Sequence, residues 1–255
     1  MIMKKLFILL FIVATCGVAG NSQNYQNFHF DVNGDGAVTA ADVTAVYDYL
    51  LGNVPIIDGH EYVDLGLPSG TLWAKTNIGA TNPEDYGDYF AWGETEPKES
   101  YNWTTYKWCK GSDYALTKYC TQTNYGYNGF YDGKSELDPE DDAATANWGP
   151  NWCMPSFDQI QELIDNCTSV WTTRNGVSGR LFTSNSNGAQ LFFPAVGYRW
   201  TVGVPDAGTR GYYWTRMLRV NGPANVHVLH IDSSVYISFA GRSRGQCVRP
   251  VRVSQ

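Results

Sequence analysis

The stretch NVHVLHIDSSVYISF, residues 225–239, holds two β-rich runs, 225–231 and 235–239, around the turn formers Asp232, Ser233 and Ser234. Runs of alternating Val, Ile and Tyr on either side of such a turn predict an antiparallel hairpin. The two-residue period sets Leu229 and Ile231 toward a core and His230 and Asp232 outward, with Tyr236 opposite to Val235 and Ile237. Further short strands are predicted at 190–193 and 248–253. One helix is predicted from the N-cap Ser156 to about Asn166, with Phe157, Ile160, Leu163 and Ile164 on one face. Residues 61–74 form two short extended runs around Pro68-Ser69-Gly70, and residues 55–60 read as a linker. Residues 81–131 are rich in Gly, Asn, Tyr and Trp and carry little periodicity; long loops of that kind pack through their own aromatics or carry function. Many short antiparallel strands, one or two helices and long loops define an α+β class.

Charge is divided along the chain. Every lysine lies at or before Lys134 and every arginine at or after Arg174. Residues 167–255 hold ten arginines against two aspartates, a net of +8, and residues 1–166 a net of −15. Such asymmetry marks the last third as the place where a partner meets the protein. Arg216, Arg219, Arg242 and Arg244 flank the hairpin, and guanidinium groups suit carboxylates, sulfates and aromatic faces. Together with His230, Asp232 and Tyr236 they form the candidate ligand-binding set.

Residues 1–20 read as an export signal, Lys4 and Lys5 preceding an apolar run too short to span a bilayer permanently. Two processing outcomes stand side by side. Residues 13–16 resemble a lipobox that would leave Cys16 acylated, and 18–20 resemble an ordinary small-residue cleavage site. The protein is expected to be exported, either as an outer-membrane or cell-surface lipoprotein or as a secreted protein. Its only membrane contact would be a lipid anchor. Export also removes nucleic acid as a partner, despite the basic tail. An oxidising compartment permits disulfides. Cys109 with Cys120, and Cys153 with Cys247, are the candidate pairs, and an odd total leaves a thiol over.

Residues 31–42, DVNGDGAVTAAD, place oxygen ligands at loop positions 1, 3, 5 and 12 (Asp31, Asn33, Asp35, Asp42), with Gly36 at the sharp turn. The Ala37 carbonyl and a water on Thr39 complete the six to eight hard oxygens that calcium requires. Ala41, Val43, Val46, Tyr47 and Leu50 follow at helical spacing, which predicts a small EF-hand-like loop and helix over 28–53. It resembles one half of a dockerin repeat. Dockerins carry two such loops and no second copy is present, so cohesin docking is not expected and calcium is read as ordering a small spacer.

Six ordered motifs carry a second resemblance: YVDLGLPSGTLWA (62–74), YGDYFAWGET (86–95), DDAATANWG (141–149), MPSFDQIQEL (154–163), FFPAVGYR (192–199) and CVRPV (247–251). They resemble the Fibrobacter major paralogous domain family, common in exported proteins of gut Bacteroidota, whose fold is similar to C-type lectin-like domains. The likeness implies a lectin-like domain over 61–255. Cys153 and Cys247 replace the family's usual Arg and Ser, and that double change implies that they are bonded to each other. Residues 210–255 also resemble the receptor face of retroelement-diversified proteins. Of the residue types such diversification excludes, only Trp214, Met217, Gln246 and Gln255 occur there.

Three functions follow. The first is capture of an extracellular glycan or surface protein by the C-terminal surface of the lectin-like domain. The second is a structural or adhesive part in surface appendages. The third is a formylglycine-generating-like activity. That chemistry needs a closely spaced cysteine pair near the C-terminus, where Cys247 stands alone, so no enzyme is expected. No Ser/His/Asp order or facing carboxylate pair stands out either.

Overall fold

A computed structural model describes residues 55–201 and 203–253, all within one compact unit, Leu51–Gln255. The expected export signal, Cys16, the 28–53 segment and its expected calcium ligands Asp31, Asn33, Asp35, Ala37, Thr39 and Asp42 lie outside the described residues.

Among the described residues ten strands form three antiparallel sheets. The first joins β1 (Ile56–Ile57), β2 (His60–Asp64), β3 (Thr71–Ala74) and β10 (Val251–Val253) in the order β1-β2-β3-β10. The second contains β4 (Cys167–Arg174), β5 (Val177–Ser184) and β6 (Gln190–Pro194) in sequence order. The third contains β7 (Gly211–Leu218), β8 (Asn225–Ile231) and β9 (Val235–Gly241). Among the described residues two helices, α1 (Ala143–Trp148) and α2 (Phe157–Asn166), and a few 3-10 turns accompany the sheets. The elements agree with the α+β expectation.

Local chemistry explains the elements. In α2 the Ser156 hydroxyl accepts from the Gln159 amide at 3.1 Å and the Gln159 side chain accepts from the Ser156 amide at 2.9 Å. This reciprocal cap satisfies two of the orphan donors of the first turn and stabilises the helix by about 1 kcal/mol. In α1 the buried Asp142 carboxylate accepts from the amides of Ala144, Thr145 and Met154. Asn175-Gly176, both at positive φ (48° and 83°), turns β4 into β5, as two-residue hairpins require. Asp58-Gly59 (49° and 83°) does the same between β1 and β2. The predicted linker at 55–60 is thus a hairpin, because Asp-Gly flanked by strand formers closes on itself.

The predicted hairpin forms with Ile231 opposite Val235 and Asn225 opposite Gly241. Its faces differ from the simple alternation. Tyr213, Leu229 and Ile231 enter one core with Trp73, Phe182 and Phe193. Trp214, Val226, Val228 and Ala240 enter a second core with Trp92, Tyr119 and Trp152. A sheet clasped on both faces has little solvent side, so His230 is buried rather than outward-facing. The long loop packs through its own aromatics: Tyr89, Trp92, Tyr101, Tyr106 and Tyr119 are all buried.

Folding brings two arginines of the basic tail onto acids of the front. Arg174 pairs with Glu84 at 2.5 Å and Arg216 with Glu136, basic tail to acidic front. Arg249 is fully buried. It donates to Asn77 Oδ1 at 2.8 Å and to the carbonyls of Ala74, Lys75 and Phe192, tying the last segment to β3. Burial with no carboxylate beside it lowers its pKa to about 10.

Both candidate disulfides are corrected, since all five described cysteines are free thiols. Cys153 pairs through its backbone with Val251, four residues beyond Cys247. That is about 13 Å of extended chain, against a bridging limit near 7 Å between Cα atoms. Cys247 itself is buried and donates to the Tyr86 carbonyl at 3.2 Å. Cys109 and Cys120 donate to different carbonyls, those of Trp103 and Gln122, each at 3.0 Å.

Candidate ligand-binding surface

The single cationic patch expected beside the hairpin does not form; its members are distributed over separate environments. Arg242 is 0 % exposed. Its guanidinium donates to the Tyr106 hydroxyl at 2.7 Å and to the carbonyls of Lys118 (2.8 Å), Tyr119 (2.9 Å) and Pro223 (3.1 Å). The Trp92 and Tyr106 rings flank it at 5.1 Å. It is an internal staple between loops, and its assignment to the ligand set is corrected on that ground. Arg216 is half-buried, ion-paired with Glu136 and 3.2 Å from the Cys153 thiol. Arg219 is exposed and lies 4.5 Å over the Phe239 ring, on the sheet face where Phe239 meets His227.

The remaining members do come together. Tyr212, His230 and Tyr236 are register partners on β7, β8 and β9. Their rings line up across the sheet, with centroids 4.8 Å and 4.6 Å apart. Cross-strand aromatic pairs of this kind each stabilise a sheet by about 0.2–1 kcal/mol. Tyr198 extends the row at 5.6 Å from Tyr212, and Arg244 stacks over Tyr198 (4.9 Å) and Trp200 (5.4 Å). Tyr236 is 43 % and Trp200 36 % exposed, so the row emerges at both ends.

Polar groups fix this row in place. Asp232 accepts from the Ser234 amide (2.7 Å) and hydroxyl (2.8 Å) and contacts His230 Nε2 at 3.1 Å. The Ser234 amide bond is the main reason that its carboxyl titrates below the ordinary range. The Asp232 carbonyl receives Arg180 Nη1 at 3.0 Å, anchoring the hairpin tip to β5. Tyr212 donates to Asp206 at 2.9 Å, and burial, then Asp206, raise its pKa to about 12. The exposed Arg210 lies 3.4 Å from Asp206. Burial lowers the His230 pKa against the pull of Asp232, which favours the uncharged ring between the two tyrosines.

Tyr198, Trp200, Arg210 and Tyr212 were not in the predicted set. Only Tyr212 had a signal, the β-forming run Tyr212-Tyr213-Trp214 at the start of β7. The half-buried Tyr212 alternates there with the fully buried Tyr213.

Residues 1–65 match the dockerin type I domain model. The match covers 65 of the 255 residues, about a quarter of the chain. Dockerin type I domains bind calcium in EF-hand-like repeats, and calcium is the ion this segment takes. The donor chemistry of residues 31–42, hard oxygens around a glycine turn, fits that ion. A dockerin-type segment belongs to extracellular proteins and implies a protein partner in general. No curated protein and no solved structure matches the chain. Among the described residues no helix is long and apolar enough to cross a membrane.

Proposed function

We propose that the chain is an exported, non-enzymatic capture protein, whose lectin-like domain binds a surface glycan or surface protein at the row Tyr236–His230–Tyr212–Tyr198 and its flanking Arg244, Trp200 and Arg210. The observation that carries this reading is the row itself: aromatic rings aligned across three strands, braced by Asp206, Asp232 and Arg180, and open at both ends. Rigid aromatics beside guanidinium groups give large contact area at small entropic cost. Small antiparallel sheets and a long loop that packs its own aromatics support the C-type lectin-like and Fibrobacter-paralogue reading of the scaffold. The exposed tail positions, among them Arg210, Ser233, Ser234 and Tyr236, are ones that a retroelement-diversified receptor would vary. Cys247, buried and pushed well above the usual thiol range by that burial, is a poor metal thiolate, which supports a protein without formylglycine-generating chemistry. A single calcium loop orders a small spacer rather than the two-loop face that a cohesin grips, and acylation of Cys16 would hold the molecule at the envelope.

An array of surface glycans and surface proteins, probed with the chain and with an Arg244→Ala/Tyr236→Ala variant, tests the site. Binding by the parent that is lost in the variant is expected; equal binding by both removes the assignment.

A further inference from the structure

A second recognition surface lies in the loop that precedes α1. Residues 120–131, CTQTNYGYNGFY, contain no charged side chain. Tyr114, Tyr127 and Tyr131 are 59 %, 47 % and 58 % exposed, although the frame beneath them is firmly held. The Lys110 amide donates to the Ala115 carbonyl at 2.8 Å, the Leu116 amide to Tyr125 and the Tyr127 amide to Leu116, both at 2.9 Å. Asp132 receives the amides of Tyr119 (2.7 Å) and Cys120 (2.8 Å). Leu116, Tyr119 and Cys120 are 0 % exposed, and Arg242 holds the carbonyls of Lys118 and Tyr119 from the core side.

On this frame the rings of Tyr114 and Tyr125 stack with centroids 4.9 Å apart and planes 14° from parallel. Tyr125 packs toward the core, leaving the outer face of Tyr114 open. Three exposed rings on one held segment, Tyr114, Tyr127 and Tyr131, exceed the singly scattered apolar residues of an ordinary surface. Tyr, Asn, Gly and Thr in one uncharged loop are the composition of recognition loops, rings for contact area and amides and hydroxyls for adaptable hydrogen bonds. The nearest formal charges in sequence are Asp113, beside Tyr114, and Asp132, beside Tyr131; the Asp113 carboxylate accepts from the Ser112 hydroxyl at 3.3 Å, and Asp132 is taken up by the Tyr119 and Cys120 amides. Lys118 is already engaged by Asp138 at 2.8 Å and Asp141 at 2.5 Å.

We propose that this loop binds a neutral glycan. A sugar ring lies on the outer face of Tyr114, and Asp113 and Asn124, adjacent in the chain to the two stacked rings, take its hydroxyls. An aliphatic ring face with equatorial hydroxyls matches an open aromatic face flanked by a carboxylate and an amide, whereas an anionic ligand would meet Asp113 as a like charge. The site is separate from the aromatic row on β7, β8 and β9.

Native affinity electrophoresis tests it, with the full chain run through gels containing β-glucan, galactomannan, xylan or starch. Retarded migration in at least one of these is expected, persisting in 0.5 M salt because no ion pair is involved. Tyr114→Ala should weaken it by about tenfold or more, the scale of one lost stacking contact with its buried area. Tyr114→Trp should retain it, as should Val170→Ser on the exposed face of β4. Matching melting curves for all variants would show that the fold is intact. Three results would each overturn the assignment: no retardation in any of the four polysaccharides, retardation indifferent to Tyr114→Ala, or capture of a protein at this loop with no polysaccharide bound.

Discussion

Arg242→Met separates a structural arginine from a ligand-binding one. The wild-type guanidinium makes four hydrogen bonds of 2.7–3.1 Å, three of them to main-chain carbonyls, inside a fully buried site with no carboxylate. Methionine fills most of the stem volume but donates nothing, so the carbonyls of Lys118, Tyr119 and Pro223 and the Tyr106 hydroxyl lose their donor. A hydrogen bond to a charged group is worth about 1.5–3 kcal/mol, and the terms are not additive. Removing one side of a buried charged network costs about 3–5 kcal/mol in comparable cases. For a domain of this size each kcal/mol moves Tm by about 2–4 °C, so the variant should melt about 6–20 °C below the parent. Arg242→Lys should recover little, because one ammonium cannot reach four acceptors spread in a plane. Scanning calorimetry with a parallel urea titration reads both quantities. A Tm within about 2 °C of the parent, combined with lost ligand binding, would show that the side chain works at the surface and would refute the burial reasoning.

Two further outcomes are expected. Alkylation after unfolding without reductant should modify Cys109, Cys120, Cys153, Cys167 and Cys247 alike by intact mass, while native Cys247 stays unreacted; any pair protected until reductant is added would restore a disulfide. Asp138, held at about 2 first by Lys118 and then by Lys134, takes up its proton later in the folded state than in the unfolded chain. Its stabilising contribution is therefore complete above about pH 4 and disappears as pH falls toward 2. Asp138→Asn should flatten that part of the stability curve in acid melts, and an unchanged slope would count against the pairing.

Much of the scaffold was legible from local chemistry. The 225–239 hairpin and the helix after Ser156 carry their own turn and cap, so neighbouring residues alone specify them. Asn175-Gly176 and Asp58-Gly59 were equally explicit turn signals. Of the strands around the first, β4 is largely exposed and β5 buries Arg180 and Ser184 along with Phe182, so polarity does not alternate; the second sits in a segment too short to show a period. His230 could not be placed by period, because the sheet is enclosed by two cores and polarity no longer reports the solvent side. The fates of the arginines were the least legible. Nothing near Arg242, Arg244 or Arg249 distinguishes a guanidinium threaded into loop carbonyls from one stacked at the surface. That distinction depends on where residues 74–77 and 118–119 arrive, more than a hundred positions away. Tyr212 and Tyr198 join His230 only once β7 pairs with β8.

The pairing of Thr71–Trp73 with Val251–Val253 governs when this domain can be born. Its closing stitch is the last part of it to be made, so a ribosome cannot release a finished domain behind it. The first sheet lacks its fourth strand until almost the whole domain has been made, while β4–β6 and β7–β9, each in sequence order, can pair earlier.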